Sequence, residues 1–120
     1  MGLFQKGSKP DKSKIKREKF VLGPEHGEST FVYVRGLTVP EGERHVEHLK
    51  TLQNPSIPES DRKNAGYFLM SCCLVDENGT QLFDDPVDVE ANFDVSASDF
   101  VKIMTVMNRL SGLDRDFSKN

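Results

Sequence analysis

Tryptophan is absent from this chain, and cysteine occurs only as the adjacent pair Cys72-Cys73. Neighbouring cysteines would close a strained ring, and there is no third to pair with. A disulfide framework and a cysteine-based zinc site are therefore excluded, and both thiols are expected reduced and buried. No apolar stretch approaches the roughly 18 residues that a membrane helix needs. The N-terminal MGLFQKGSKP lacks the apolar run and cleavage site of a secretory signal, and Lys6 stands where myristoylation wants Ser or Thr. These absences predict a cytoplasmic protein with no membrane association. One sign of charge is also missing locally, because the eight acids between Asp76 and Asp99 face no Lys or Arg in that stretch.

The missing cations lie at the other end. Residues 1–19 hold seven basic residues against Asp11 and Glu18, a net of +5, so the overall charge of −3 leaves −8 for the remainder. The basic segment has little to bury and reads as a flexible arm, 1–19. Residues 20–113 read as one small domain and 114–120 as a polar C-terminal stub, within the reach of a single modest core for 120 residues.

Within the domain, Phe20-Val21-Leu22 and Thr30–Leu37 are rich in β-branched and aromatic residues, with Gly23-Pro24 and Gly27 between them. This predicts a hairpin. Pro40 and Glu41 open a helical stretch that Asn54-Pro55 stops. A second helix is expected from Ser60 or Asp61, since Ala65, Phe68, Leu69, Cys72 and Cys73 fall on one face. CLVDENGTQLF then leaves two readings open. The helix runs to about Val75 with Asn78-Gly79 past its end, or a strand turns at Asn78-Gly79 and pairs Val75 with Leu82. It is not a calcium loop: counted from Asp76, the glycine falls at position 4 and the twelfth residue is Val87. In the last helix Ser96 is a candidate N-cap with Asp99 three residues on. Phe100, Ile103, Met104, Met107 and Leu110 make a continuous face, and Gly112 suits a left-handed C′ position. Val101 and Val106 fall off that face, which predicts that a second copy of the chain covers the helix. The fold class is α+β: an N-terminal β-hairpin packed on about three α-helices.

Catalytic groups do not converge in the sequence. His45 and His48, with Glu41 one turn before, could offer a metal three ligands, but HVEH is not the zinc-protease spacing, and solvated helix histidines are the simpler reading. Gly7-Ser8-Lys9 lacks the spacing of a phosphate loop. Ser71 and Ser111 sit in no nucleophile elbow. The acids Asp84, Asp85, Asp88 and Glu90 have no partner to separate their pKa values and read as a solvated surface. The expectation is no enzyme, no cofactor and no metal.

Taken in order, the elements resemble a known family. A hairpin ending in VYVRGLTVPEGERHVEHL is followed by a linker, then by NAGYFLMSCCLVDENGTQLF, then by an acidic segment and a helix ending NRLSGL. This is similar to the tail assembly chaperones of lambda-like and HK97-like siphophages. Glu47-His48-Leu49, Gly66–Ser71 and Arg109–Leu113 stand at the family's recurrent stretches, whereas Gly36 replaces a frequent acidic residue and the basic arm is longer. The resemblance implies a non-enzymatic protein of the bacterial host cytoplasm. It would bind the tape measure protein and keep it soluble until the tail tube polymerises. It further implies homo-oligomers, and a longer form made by ribosomal frameshifting that contacts the tail tube protein. The apolar faces Phe68, Leu69, Cys72 and Phe100, Ile103, Met104, Met107, Leu110 are the expected client or oligomer surface. Two rival classes remain: a structural or adaptor protein of a phage tail or head–tail joint, and a nucleic-acid-binding regulator using the basic arm. The acidic domain disfavours the second.

Overall fold

The computed structural model describes residues 2–52, 55, 56, 58 and 67–112. The fold is α+β, and the described residues form a three-stranded antiparallel sheet and four helices. Strands β1 (Arg17–Val21) and β2 (Phe31–Arg35) form the expected hairpin, with Phe20 opposite Val32 and Glu18 opposite Val34. A third strand, β3 (Leu74–Val75), pairs with the free edge of β2, Val34 opposite Leu74. The sheet therefore runs β1-β2-β3, with the most β-branched strand in the centre.

Strand alternation divides β2 into two sides. Val32 and Val34 are buried in the core. Phe31 and Tyr33 meet edge to face on the other side, under Lys19 and Arg17 respectively. Helix α1 (Val39–Leu52) follows β2. Residues 67–73 form the described part of helix α2, which passes directly into β3. Helices α3 (Pro86–Asn92) and α4 (Ala97–Leu110) follow, α4 lying against β1 and β2.

The two readings of residues 73–83 resolve into a composite. The helix ends at Cys73, two residues before Val75, and Leu74-Val75 are strand. The chain then turns back through Asn78-Gly79, so that Val75 bridges Gln81 and the Leu82 amide donates to the Leu74 carbonyl at 3.1 Å. The Asp76 carboxylate accepts from the Asn78 and Thr80 amides at 2.8 and 3.0 Å, which closes its own turn. Gly79 has φ +81, and a Cβ there would collide with the Ser13 backbone. Two independent constraints therefore ask for glycine.

Three expectations need correction. The 1–19 arm is too long, because β1 begins at Arg17 and a 3-10 turn at Lys12–Lys14 precedes it. Arg17 donates to the carbonyls of Ser13 and Glu77, which ties this segment to the β3 turn. The hairpin, present as expected, does not exhaust the sheet, because β3 adds a third strand among the described residues. The acidic segment contains α3, started by the Asp85 carboxylate accepting from the Asp88 amide at 2.8 Å, with Pro86 in the first turn. The expected helix start at Ser60 or Asp61 and the C-terminal stub lie outside the described residues.

Helix α4 is delimited as expected. The Ser96 hydroxyl accepts from the Asp99 amide at 3.1 Å, and Gly112 takes φ +75. The side chain of Ser111 accepts from the Leu37 amide at 2.8 Å and fastens the helix end to the sheet. There Gly36 is required for space: a Cβ would lie 2.7 Å from the Leu110 carbonyl oxygen.

Candidate functional site

Thr38-Val39-Pro40-Glu41 begins α1 as a reciprocal box. The Glu41 amide donates to the Thr38 hydroxyl at 3.5 Å, and the Thr38 amide donates to Glu41 Oε1 at 2.9 Å. Glu41 has a second, larger engagement. Arg35 Nη1 and Nη2 donate to its Oε1 and Oε2, each at 2.9 Å, in a two-pronged ion pair. Nη1 donates also to the Gly36 carbonyl at 2.7 Å. Lys12 Nζ donates to Oε2 at 3.2 Å from the solvent side, itself half exposed.

Alternation points Arg35 to the sheet face away from the core, yet only 1% of it is exposed. The start of α1 and the Lys12 turn enclose it. Burial pushes the Glu41 carboxyl up, but the hydrogen bonds from Arg35 and the Thr38 amide outweigh this, and its pKa falls to about 2. Glu41 is therefore ionised and fully engaged, a structural carboxylate rather than an available acid or base.

Above this pair lies a groove of about 1250 Å³. Phe68, Ser71 and Cys72 of α2 line it, with Pro40, Arg44 and His48 of α1, Lys9 and Lys12 of the N-terminal segment, and Asp84, Asp85, Pro86 and Val87 before and in α3. The lining is mixed in character: aromatic and aliphatic surface, cations along one side and carboxylates at the start of α3. His48 stands edge to face on Phe68, centroids 4.8 Å apart, and the Arg44 guanidinium lies 4.8 Å from the same ring. Burial, then the Arg44 charge, lowers the His48 pKa; burial, then His48, lowers that of His45. Burial and the nearby Glu41 charge push the Cys72 thiol up to about 11, and burial beside Cys72 pushes Cys73 to about 12, so neither is a thiolate nucleophile at neutral pH.

The expected partner-binding residues come together, but mostly with one another. Phe68, Leu69, Cys72, Ile103 and Met107 all belong to the core, Ile103 and Met107 with no exposed surface. Phe100 and Met104 are half-buried against that core, and Leu110 is half-buried. A client or second copy would reach Phe68 and Cys72 from the groove, and Phe100, Met104 and Leu110 from the outside of α4. Val106 also packs on the core, so a single chain covers it, while Val101 stays 63% exposed. The three ligands imagined around His45 do not assemble, since Glu41 is committed to Arg35.

Sequence reasoning missed the Arg35–Glu41–Lys12 cluster. Thr38-x-x-Glu41 with Pro40 between them was the available signal for the cap. No local pattern could have paired Arg35 with Glu41. No family model, curated protein or solved structure matches this chain. No helix among the described residues is long and apolar enough to cross a membrane.

Proposed function

We propose that this chain is a non-enzymatic holder of a helical client, acting as a phage tail assembly chaperone for the tape measure protein. The observation that carries the reading is the groove: Val87 exposes apolar surface along it beside Pro86, while the groups in it best suited to chemistry are engaged or poorly ionised. Glu41 is tied to Arg35, the Cys72 thiol is raised, and His48 is stacked on Phe68. An amphipathic helix laid in such a groove presents apolar residues at i, i+3, i+4 and i+7 to Phe68, Pro86 and Val87, with charged flanks against Arg44 and Asp85. The motif resemblance supplies the identity of the client. Homo-oligomers and a frameshifted longer form that reaches the tail tube protein belong to the same proposal.

Co-expression with the tape measure protein, followed by a solubility assay, tests it. Val87 is 59% exposed and sits in the first turn of α3, where an acid suits the helix dipole. Val87→Asp should therefore leave the unfolding midpoint nearly unchanged while lowering the soluble fraction of the client. A client equally soluble without this chain overturns the reading in favour of a structural or adaptor role.

A further inference from the structure

Away from the groove, the turn between β1 and β2 meets the first turn of α4. The 3-10 turn Pro24–His26 carries Glu25 and His26, and Asp99 faces it from α4. One ligand atom from each of Glu25, His26 and Asp99 can be chosen so that all three lie within 4.8 Å of one another. We infer that these residues form a binding site for one divalent transition-metal ion, of the zinc type, held by one imidazole nitrogen and two carboxylate oxygens.

Three observations converge. First, Nε2 of His26 is shut off from solvent and has no hydrogen-bond partner. Glu25 Oε1 is 3.7 Å away, too far for a hydrogen bond. A buried imidazole nitrogen without a partner costs free energy, and a cation held among these three donor groups would relieve it. Second, Asp99 is 93% withdrawn from solvent by its 7% exposure, and its Oδ2 is oriented by the Gly23 amide at 2.9 Å. Metal-binding carboxylates are commonly held by such hydrogen bonds. Third, the turn has the space to close. The Glu25 carboxylate lies over Gly23, where a Cβ would stand 2.7 Å from Oε1, so glycine is what lets it approach. The Thr30 hydroxyl donates to the His26 carbonyl at 2.8 Å and fixes the turn from its other end.

Zinc bonds to nitrogen and oxygen are about 2.0–2.2 Å. Tetrahedral donors at that bond length stand about 3.4 Å apart. A set spread over as much as 4.8 Å must therefore close on the ion, and the half-exposed Glu25 side chain has the freedom to move toward it. Glu25 and His26 also line a hollow with Asp94 and Ser96, from which a solvent ligand would complete the tetrahedron. The mixed nitrogen–oxygen set favours zinc-like ions over calcium or magnesium, which take oxygen ligands. Bound there, the ion would staple the β1–β2 turn to α4.

Zinc titration of the full chain, with magnesium as control, tests the inference. One equivalent of zinc should bind and raise the unfolding midpoint, because an ion held only by the folded state stabilises it. His26→Gln and Glu25→Gln should each weaken zinc binding by at least about tenfold. His45→Gln/His48→Gln should bind zinc as the parent does. Glu25 is exposed and carries no backbone hydrogen bond, so Glu25→Gln reports on binding even if His26→Gln unfolds. No uptake of zinc, undiminished binding in Glu25→Gln, or loss of binding in the His45/His48 variant would each overturn the site. Client solubility is a separate readout, so the groove proposal stands or falls independently.

Discussion

Arg35 and Glu41 at one corner, and Glu25, His26 and Asp99 at another, show two ways of burying titratable groups in a small protein. At the first, both carboxylate oxygens of Glu41 are occupied, by a guanidinium, a backbone amide and a lysine. At the second, His26 Nε2 is buried with no partner although two carboxylates face it. Saturation of the carboxylate is the difference, for Arg35 Nε is itself buried without a hydrogen-bond partner. A saturated buried ion pair holds elements in place and resists reaction, whereas an unsaturated cluster retains capacity for a ligand. Location within the fold follows the same logic. The saturated corner joins α1 to the end of the central strand, while the unsaturated one joins a surface turn to a helix start.

The largest effect should come from breaking the saturated corner. Glu41→Ala removes the box that starts α1 and leaves the Arg35 guanidinium buried without its counter-charge. Breaking one side of a buried pair costs about 3–5 kcal/mol, which should be measurable as a lower denaturation midpoint at unchanged m-value. Arg35→Met/Glu41→Leu, which removes both charges together, should recover much of that loss. A Glu41→Ala protein as stable as the parent would show that Arg35 is hydrated in solution and that the corner is not closed.

Acid should separate the two corners next. The Glu41 pKa is depressed in the folded protein to about 2 from an ordinary 4.5. The unfolded chain therefore binds the proton first as pH falls. The stabilisation is complete above about pH 5 and is lost progressively as pH drops toward 2. Asp11, through its hydrogen bonds from Ser13, and Glu18, through its bond from Arg109, are also lowered and push in the same direction. The comparison that isolates Glu41 is thus the parent against Glu41→Gln, whose unfolding midpoint should fall less steeply over that range. Identical slopes in the two proteins would remove Glu41 as the acid-sensitive group.

The sequence made the local half of this picture legible. The hairpin, the Ser96 cap and the Gly112 terminus all follow from residues within a few positions of one another, and the structure has each of them. Non-local facts were not legible. Arg35 falls, by alternation, on the face opposite Val32 and Val34, which predicts exposure; yet it is buried, with its guanidinium against Glu41 of α1. A strand through Val75 is one of two open readings of the sequence, because Leu74-Val75 continue a helical pattern without a break; its pairing with β2, which decides their conformation, has no local signal. Helix α3 could have been found from Asp85-Pro86-x-Asp88, but the density of acids in that stretch suggested a solvated surface. For the candidate sites, Glu41 reads in the sequence as a helix-start acid or as a companion to His45 and His48, not as the partner of Arg35. His26 carries no local signal of a site, since Asp99 is 73 positions away in the chain.

The smallest effect should come from Lys12, and it sharpens what closes the corner. Its ammonium touches the same Glu41 oxygen that Arg35 Nη2 occupies, at 3.2 against 2.9 Å, but it is half exposed where Arg35 is buried. An exposed partner is screened by water and salt, and ordering its long side chain costs entropy. Lys12→Ala should therefore cost only about 0.2–1 kcal/mol, and the cost should shrink as ionic strength rises. The Glu41→Ala loss, by contrast, should change little with salt, because that pair is shielded from it. Chemical denaturation with urea, an uncharged denaturant, at low and high salt gives both numbers. A Lys12→Ala loss above about 2 kcal/mol that persists in salt would exceed what an exposed pair supplies. Lys12 would then be a full member of a three-charge network, and the basic segment before β1 would be part of the folded unit rather than a lid on it.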